Sequence, residues 1–405
     1  MKIVTNMRLI GGTLLVAGTT IGAGMLALPA ITSFGGFLPS VVIFIICWLV
    51  MLCSAFFFLD VNLSVKGEPN LISMVGKTLG GKGRVSSWIL YLMLLYSLLA
   101  AYIAASASLF QKAIFALSGT QLPESLARFC LPVVFGSFLY LGTRGVDYLN
   151  RILMFGLAIS YLILITFVPS HIDLSLLSHV DFSASLISIP VVFTSFGYHI
   201  VIPSLTTYLH HDAKALRRAI LWGSSIPIFI YLVWQVIVLG VVPQNFLSAA
   251  WVQGIPASDP LSKVIRNPFI SKSALFFSFF AIVTSFLGVA LSLSDFLRDG
   301  LNIKKSWEGR LAAFCLTFIP PLVFVFSYQR GFYLALEYAG IIVAILLGVL
   351  PSIMAWRLKK HPFYSSVKGK LLLVTVISLC LGVVVLDFLE KKGVLRIFID
   401  SYLSS

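Results

Sequence analysis

Apolar residues run along this chain in blocks long enough to cross a bilayer, and the polar residues are confined to short stretches between them. A membrane-spanning helix needs about 20 predominantly apolar residues. The pattern predicts eleven spans, at about 9–32, 38–60, 87–111, 129–143, 150–168, 185–208, 219–242, 273–296, 311–328, 332–356 and 371–388. The fourth is the shortest. The expected fold class is an all-α polytopic membrane protein, a single integral membrane domain over 1–405. Its first five-helix unit is 9–168, its second 185–356, and 371–388 is an additional helix.

Two runs are interrupted. Span one contains Gly18-Thr19-Thr20-Ile21-Gly22-Ala23-Gly24, and a glycine inside a helix costs about 1 kcal/mol against alanine. Span six contains Thr194-Ser195-Phe196-Gly197-Tyr198-His199, between Pro190 and Pro203. Each interruption opens a set of five spans, and the second set starts in the opposite orientation. Matched breaks of this kind predict an inverted 5+5 repeat, in which the broken helices free backbone groups near the bilayer midplane to bind a substrate. The same glycines also suit close helix packing, and that alternative stays open at this point.

Composition agrees with the pattern. The chain is 59% hydrophobic and 11% charged, against about 25% charged in soluble domains, and its mean hydropathy is +1.00. The five cysteines lie in or beside apolar runs without CxxC spacing and read as packing residues. Span one continues past Ala27-Leu28-Pro29 without a small-x-small cleavage site and is expected to be retained.

The net charge of +14 reflects topology and does not imply a nucleic-acid partner, because the basic residues sit in short loops. With the N-terminus inside, 20 of the 29 Lys and Arg fall on the inner side and 9 on the outer. By the positive-inside rule the N-terminus is cytoplasmic and the C-terminus, after eleven spans, is outside.

The breaks carry the chemistry. Gly22, Ala23 and Gly24 can present consecutive N–H groups, and the half-helix that starts near Met25 directs the positive end of its dipole at the gap, an arrangement that favours a carboxylate. Carbonyls near Ala17 to Thr20 suit an ammonium group. An α-amino acid carries both. Around the second break, Phe193, Thr194, Ser195, Phe196, Gly197, Tyr198 and His199 mix aromatic and hydrogen-bonding groups that fit an aromatic side chain, although Phe196 and Tyr198 also suit an ordinary core. His199 is the single histidine within a predicted span and the candidate for proton coupling or for a bond to a substrate hydroxyl; a neutral structural role is the alternative. Tyr102 of span three is a candidate gate, and Thr284 and Ser285 of span eight can add hydroxyls. Spans one and six carry no carboxylate; Asp60, Asp295, Glu337 and Asp387 lie in other spans or at their ends.

No GxxxxGK[ST], HExxH or GxSxG occurs, so ATP-driven pumping, zinc proteolysis and serine hydrolysis have no support. No enzyme activity, cofactor or metal is expected.

Val16-Ala17-Gly18-Thr19-Thr20-Ile21-Gly22-Ala23-Gly24-Met25-Leu26-Ala27-Leu28-Pro29 closely resembles the opening helix of the bacterial aromatic amino acid permeases. Ile189 to His199 followed by Val201-Ile202-Pro203-Ser204 resembles their sixth helix, and Thr284-Ser285-Phe286-Leu287-Gly288-Val289-Ala290-Leu291 their eighth. Ala101-Tyr102-Ile103, Phe318-Ile319-Pro320-Pro321-Leu322 and Arg330-Gly331-Phe332 extend the match, which runs from about Leu9 to Phe388. The resemblance implies eleven spans in a leucine-transporter-like 5+5 inverted repeat. It further implies proton-driven symport of aromatic amino acids, tyrosine foremost, across the bacterial cytoplasmic membrane. By the same analogy Ala23 and Gly24 cradle the carboxylate, while Thr20 and the unwound part of span six take the ammonium. Glu337 and Ile200 stand where the family is expected to have small residues. The expected partners are an aromatic amino acid, a proton and the bilayer. The alternatives are an exchanger, an importer of tryptophan, phenylalanine or another neutral amino acid, a non-transporting sensor, and a channel.

Overall fold

The structure, a computed structural model, describes residues 2–403 except 66, 68, 266, 305 and 359–361. Lys66, Arg266, Lys305, Lys359 and Lys360, which enter the charge count, lie outside the described residues. The described chain is helical with no strand. In a bilayer this follows from the need to satisfy every backbone N–H and C=O within its own segment.

The first apolar run is broken as the glycines predict. Helix α1 (Lys2–Thr20) ends, Gly22 is extended at φ −157°, and the chain continues as a tight 3-10 turn (Ala23–Leu26) into α2 (Leu28–Thr32). Gly36, at φ +85°, then turns the chain into α3 (Phe37–Ser64); a Cβ there would stand 1.9 Å from the His179 carbonyl, so the turn admits only glycine. Helix α4 (Leu71–Ser118) is bent at Gly80, φ +84°, which separates a short leading segment from the predicted third span.

The fourth run yields only α5 (Glu124–Val134), 11 residues long with Pro132 inside it, followed by a 3-10 turn (Gly136–Leu141). At 1.5 Å per residue α5 covers about half of a 30 Å hydrocarbon core. Helix α6 (Gly142–Phe167) completes the first five.

The sixth run is broken as well. After α7 (Phe182–Ser185), α8 (Ile189–Ser195) ends in an irregular turn, and α9 (Ile202–Tyr208) resumes with Pro203 in its first turn. Then come α10 (Ala213–Leu239), the short α11 (Gln244–Gln253) and α12 (Ser258–Val264), α13 (Pro268–Gly300) and α14 (Trp307–Ser327). Helix α15 (Gly331–Val343) joins α16 (Leu350–Trp356) through a π-helical stretch (Ala344–Val349). Helices α17 (Pro362–Ser365), α18 (Val367–Lys391) and α19 (Asp400–Leu403) finish the chain. Side-chain caps from Asn70, Asp212, Asn267, Ser306 and Ser366 take up first-turn N–H groups of α4, α10, α13, α14 and α18.

Among the described residues, nine of these segments are long and apolar enough to cross a membrane, counting Phe182–Tyr208 and Gly331–Trp356 as one each. The two remaining predicted spans are the broken first run and the short α5. In the interior α1 packs along α10, α13 along α6 and α4, and α15 along α4 and α8. These contacts bring the two breaks together at the centre of the molecule.

Candidate functional site

A cavity of about 450 Å³ lies between the breaks, within the size range of small-molecule sites. Its polar wall comes from Gly18, Thr19, Thr20, Gly22 and Gly24 at break one, Thr194, Ser195 and Gly197 at break two, and Thr284 and Ser285 on α13. Tyr91, Leu95, Leu98, Tyr102, Met154, Ile200, Val289 and Leu336 supply aromatic and apolar surface. Among the described residues no charged side chain lines it.

Donors and acceptors are segregated. At break one the N–H groups of Gly22 and Gly24 have no acceptor among the described residues, while the Ala23 N–H is held by Ser285 Oγ at 3.1 Å. The Gly18 and Thr19 carbonyls, whose helical partners are lost at the break, receive no hydrogen bond among the described residues. The hydroxyls of Thr20, Ser195 and Thr284 each donate to a carbonyl four residues back in their own helix, at 2.8, 3.0 and 2.8 Å. A hydroxyl whose proton is committed in this way presents only lone pairs to the cavity. Thr194 commits its proton to the Leu336 carbonyl at 2.9 Å. The cavity therefore offers two free N–H donors at the start of one half-helix and a surrounding set of acceptors.

The breaks are also tied to one another. The Tyr231 hydroxyl of α10 lies 2.7 Å from the Thr20 carbonyl and 2.9 Å from the Ser195 carbonyl, the last residues of α1 and α8. Trp234, one helical turn on, donates to the Met25 carbonyl at 3.1 Å.

The predicted site residues divide between cavity and core. Thr20, Gly22, Gly24, Tyr102, Ser195, Gly197, Thr284 and Ser285 line the cavity, and Tyr102 faces Ser285. Ala23 stands just behind it, with its N–H on Ser285. Phe193, Phe196, Tyr198 and His199 are buried outside the lining. Phe196 packs on Tyr231, with ring centroids 5.4 Å apart, and His199 meets Phe58 of α3 edge-on at 6.1 Å. Asn150, at the head of the fifth predicted span, reaches the cavity with a buried side-chain oxygen that has no partner among the described residues. The sequence hid it, because an amide at a span end reads as a boundary residue. Thr194, named with the second break, lines the cavity as well, and the span-seven pair Tyr231 and Trp234 complete the set that the structure adds.

The cavity extends along the C-terminal half of α1, past Leu14 and Leu15, toward Asn150 and Ser292. Its other end is closed. The Ala257 N–H donates to the Leu26 carbonyl at 3.0 Å, Phe34 meets Trp251 edge-to-face at 5.2 Å, and the Tyr333 hydroxyl donates to the Ile255 carbonyl at 2.9 Å. Helices α11 and α12 thus form a lid over that end.

Two broken helices around a central cavity give the chain a leucine-transporter-like fold. The same fold is seen in a mutant of the Eremococcus coleocola manganese transporter, with a TM-score of 0.59, 16% sequence identity, and coverage of 97% of this chain and 92% of that one. The chain belongs to the tryptophan/tyrosine permease family, whose model matches residues 5–387. It is 33% identical to tyrosine-specific transport system 1 of Haemophilus influenzae, over 96% of this chain and 98% of that protein. It is 30% identical to the tryptophan-specific transport protein of the same organism, over 86% and 87%. It is accordingly a multi-pass membrane permease and not an enzyme.

Proposed function

We propose that this permease is a proton-coupled symporter that imports aromatic amino acids, tyrosine foremost, across the bacterial cytoplasmic membrane by alternating access. The observation that carries this reading is the segregated polarity of the cavity. The free Gly22 and Gly24 N–H groups suit a carboxylate, aided by the dipole of the half-helix they begin. The Gly18 and Thr19 carbonyls and the oxygens of Thr20, Ser195 and Thr284 suit an ammonium. With no charged side chain among the described residues of the lining, a ligand carrying net charge would have no counter-charge from them, whereas a zwitterion supplies its own. Tyr91, Tyr102 and the apolar wall suit a ring, and Asn150 provides an acceptor for a phenolic hydroxyl. Among the described residues the walls hold no carboxylate, imidazole or thiolate, which favours a zwitterion over the cargo named for the manganese transporter.

The lid-closed cavity corresponds to an inward-facing state if the N-terminus is cytoplasmic and the C-terminus periplasmic, as the 20-to-9 charge asymmetry favours. In this scheme residues 9–168 and 185–356 are the inverted repeats, and 371–388 is peripheral. The test is uptake of labelled tyrosine into proteoliposomes, with and without an inward proton gradient and with tryptophan, phenylalanine and leucine as competitors. Gradient-stimulated uptake blocked by the aromatic competitors alone is the expected result. Flux only into liposomes preloaded with amino acid would mean exchange, and binding without flux would mean a sensor.

A further inference from the structure

After α18 the chain turns back and runs across the lid side of the molecule. Leu395 and Ile399, both buried, anchor it there. Between them a 3-10 turn (Arg396–Phe398) leads toward α19, which packs on α11 of the lid. Within α19 stands Tyr402. Its hydroxyl donates to the Asp181 carboxylate at 3.0 Å. Its ring lies 6.2 Å from that of Phe34 and meets His179 edge-on at 5.4 Å. On either side of it Ser401 and Leu403 are exposed.

These neighbours join both broken spans to the lid. Phe34 follows α2, the half-helix beyond break one, and its ring also meets Trp251 of the lid. Asp181 caps α7 through the Ser183 and Ala184 N–H groups, at 2.9 Å each, and α7 runs on into α8, the half-helix before break two. The two backbones are stitched together at this point. His179 Nε2 lies 2.9 Å from the Phe34 carbonyl, and the Asp181 N–H donates to the Gly35 carbonyl at 2.8 Å. Tyr402 closes over that seam from outside. Opening the cavity on this side requires the seam and the Phe34–Trp251 contact to part, and one ring cannot follow both sides. A chain end held by few buried side chains detaches at low cost. Ile399, fully buried, keeps the segment at hand for return.

We propose that residues 395–403 form a strap that latches the lid-side gate shut through Tyr402, and that Tyr402 lets go before the cavity opens to that side. This rests on the alternating-access reading above. Tyr402 lies outside the cavity lining, so the strap acts on the balance between states and not on the bound ligand. Contacts made in one state alone favour that state, and weakening them moves population to the other. The strap therefore sets how much of the permease rests closed on the lid side.

The experiment uses full-length protein in membrane vesicles, with native cysteines replaced and one reporter at a time. Thr284→Cys, deep in the cavity, is treated with a membrane-impermeant thiol reagent from the lid side. Ser292→Cys, at the open end, is treated from the opposite side. Tyrosine counterflow by the unaltered protein is measured first. If none occurs, the alternating-access reading fails and the strap falls with it. If counterflow occurs, Tyr402→Phe, which keeps the ring and loses the bond to Asp181, is expected to speed lid-side labelling of Thr284→Cys by about 3- to 10-fold, the scale of one hydrogen bond at a partly exposed site. Tyr402→Ala is expected to speed it further. Labelling of Ser292→Cys is expected to stay level or fall in both variants. A merely structural role would loosen the protein and raise both reporters together, which would overturn the proposal while leaving alternating access intact. Unchanged lid-side labelling in the two variants would overturn it as well. Tyr402→Phe, lacking one oxygen atom, keeps the test open should Tyr402→Ala fail to reach the membrane.

Discussion

Ser285 Oγ accepts the Ala23 N–H at 3.1 Å, and a Cβ placed on Gly22 would stand 2.5 Å from the same oxygen. One hydroxyl on α13 therefore sets both the position of the first break and the size of the residue that opens it. Gly22→Ala is expected to abolish tyrosine uptake while the protein still reaches the membrane. Removing the obstructing oxygen in Gly22→Ala/Ser285→Gly is expected to recover part of the activity. Initial-rate uptake normalised to membrane-inserted protein checks both. Equal loss in the double variant would show that the collision with Ser285 is not the cause.

Tyr231→Phe removes the hydroxyl that serves the Thr20 and Ser195 carbonyls. Leaving buried carbonyls unsatisfied costs about 1–3 kcal/mol. If the breaks lose their geometry by that amount, tyrosine affinity should fall roughly 5- to 150-fold. Binding to purified protein by scintillation proximity, alongside thermal unfolding in detergent, separates a weakened site from a destabilised fold.

Lys112 reaches across from α4 to the buried Asp259 of the lid. Lys112→Ala leaves that carboxylate without its partner, an outcome near the lower end of the 3–5 kcal/mol for broken buried pairs because Lys112 is itself partly exposed. The lid is expected to loosen, with a lower unfolding temperature and faster labelling of a reporter cysteine at Thr32 from the lid side. Lys112→Ala/Asp259→Asn is expected to restore much of the stability.

With native cysteines replaced, Ser292→Cys should react with a membrane-impermeant thiol reagent in inside-out vesicles, and excess tyrosine should slow the reaction. Labelling only in right-side-out vesicles would reverse the assignment of sides.

Much of the architecture was legible because both breaks are written locally, as clustered glycines at 18–24 and as a polar interruption between prolines at 194–199. Ser285 and Thr284 stood out as hydroxyls in an apolar run. What the sequence could not show was direction. At the second break the backbone turns Ser195 and Gly197 toward the cavity and Phe196, Tyr198 and His199 toward α10 and α3, and no periodicity survives an irregular turn to reveal that. Tyr231 and Trp234 looked like any aromatics in a span, since their importance depends on carbonyls more than 30 residues away in sequence. The fourth span was read as 15 residues, whereas Pro132 and the 3-10 turn after Val134 give a shorter helix.

A phenol has one proton, yet the Tyr231 hydroxyl has two claimants, the final carbonyls of α1 and α8. At any instant one is served and the other waits. A movement that draws these half-helices apart therefore need not forfeit a bond; it can decide which claimant is served. In the alternating-access scheme proposed above, opening and closing becomes a change of partner at a fixed donor, a competition that neither helix end can win outright.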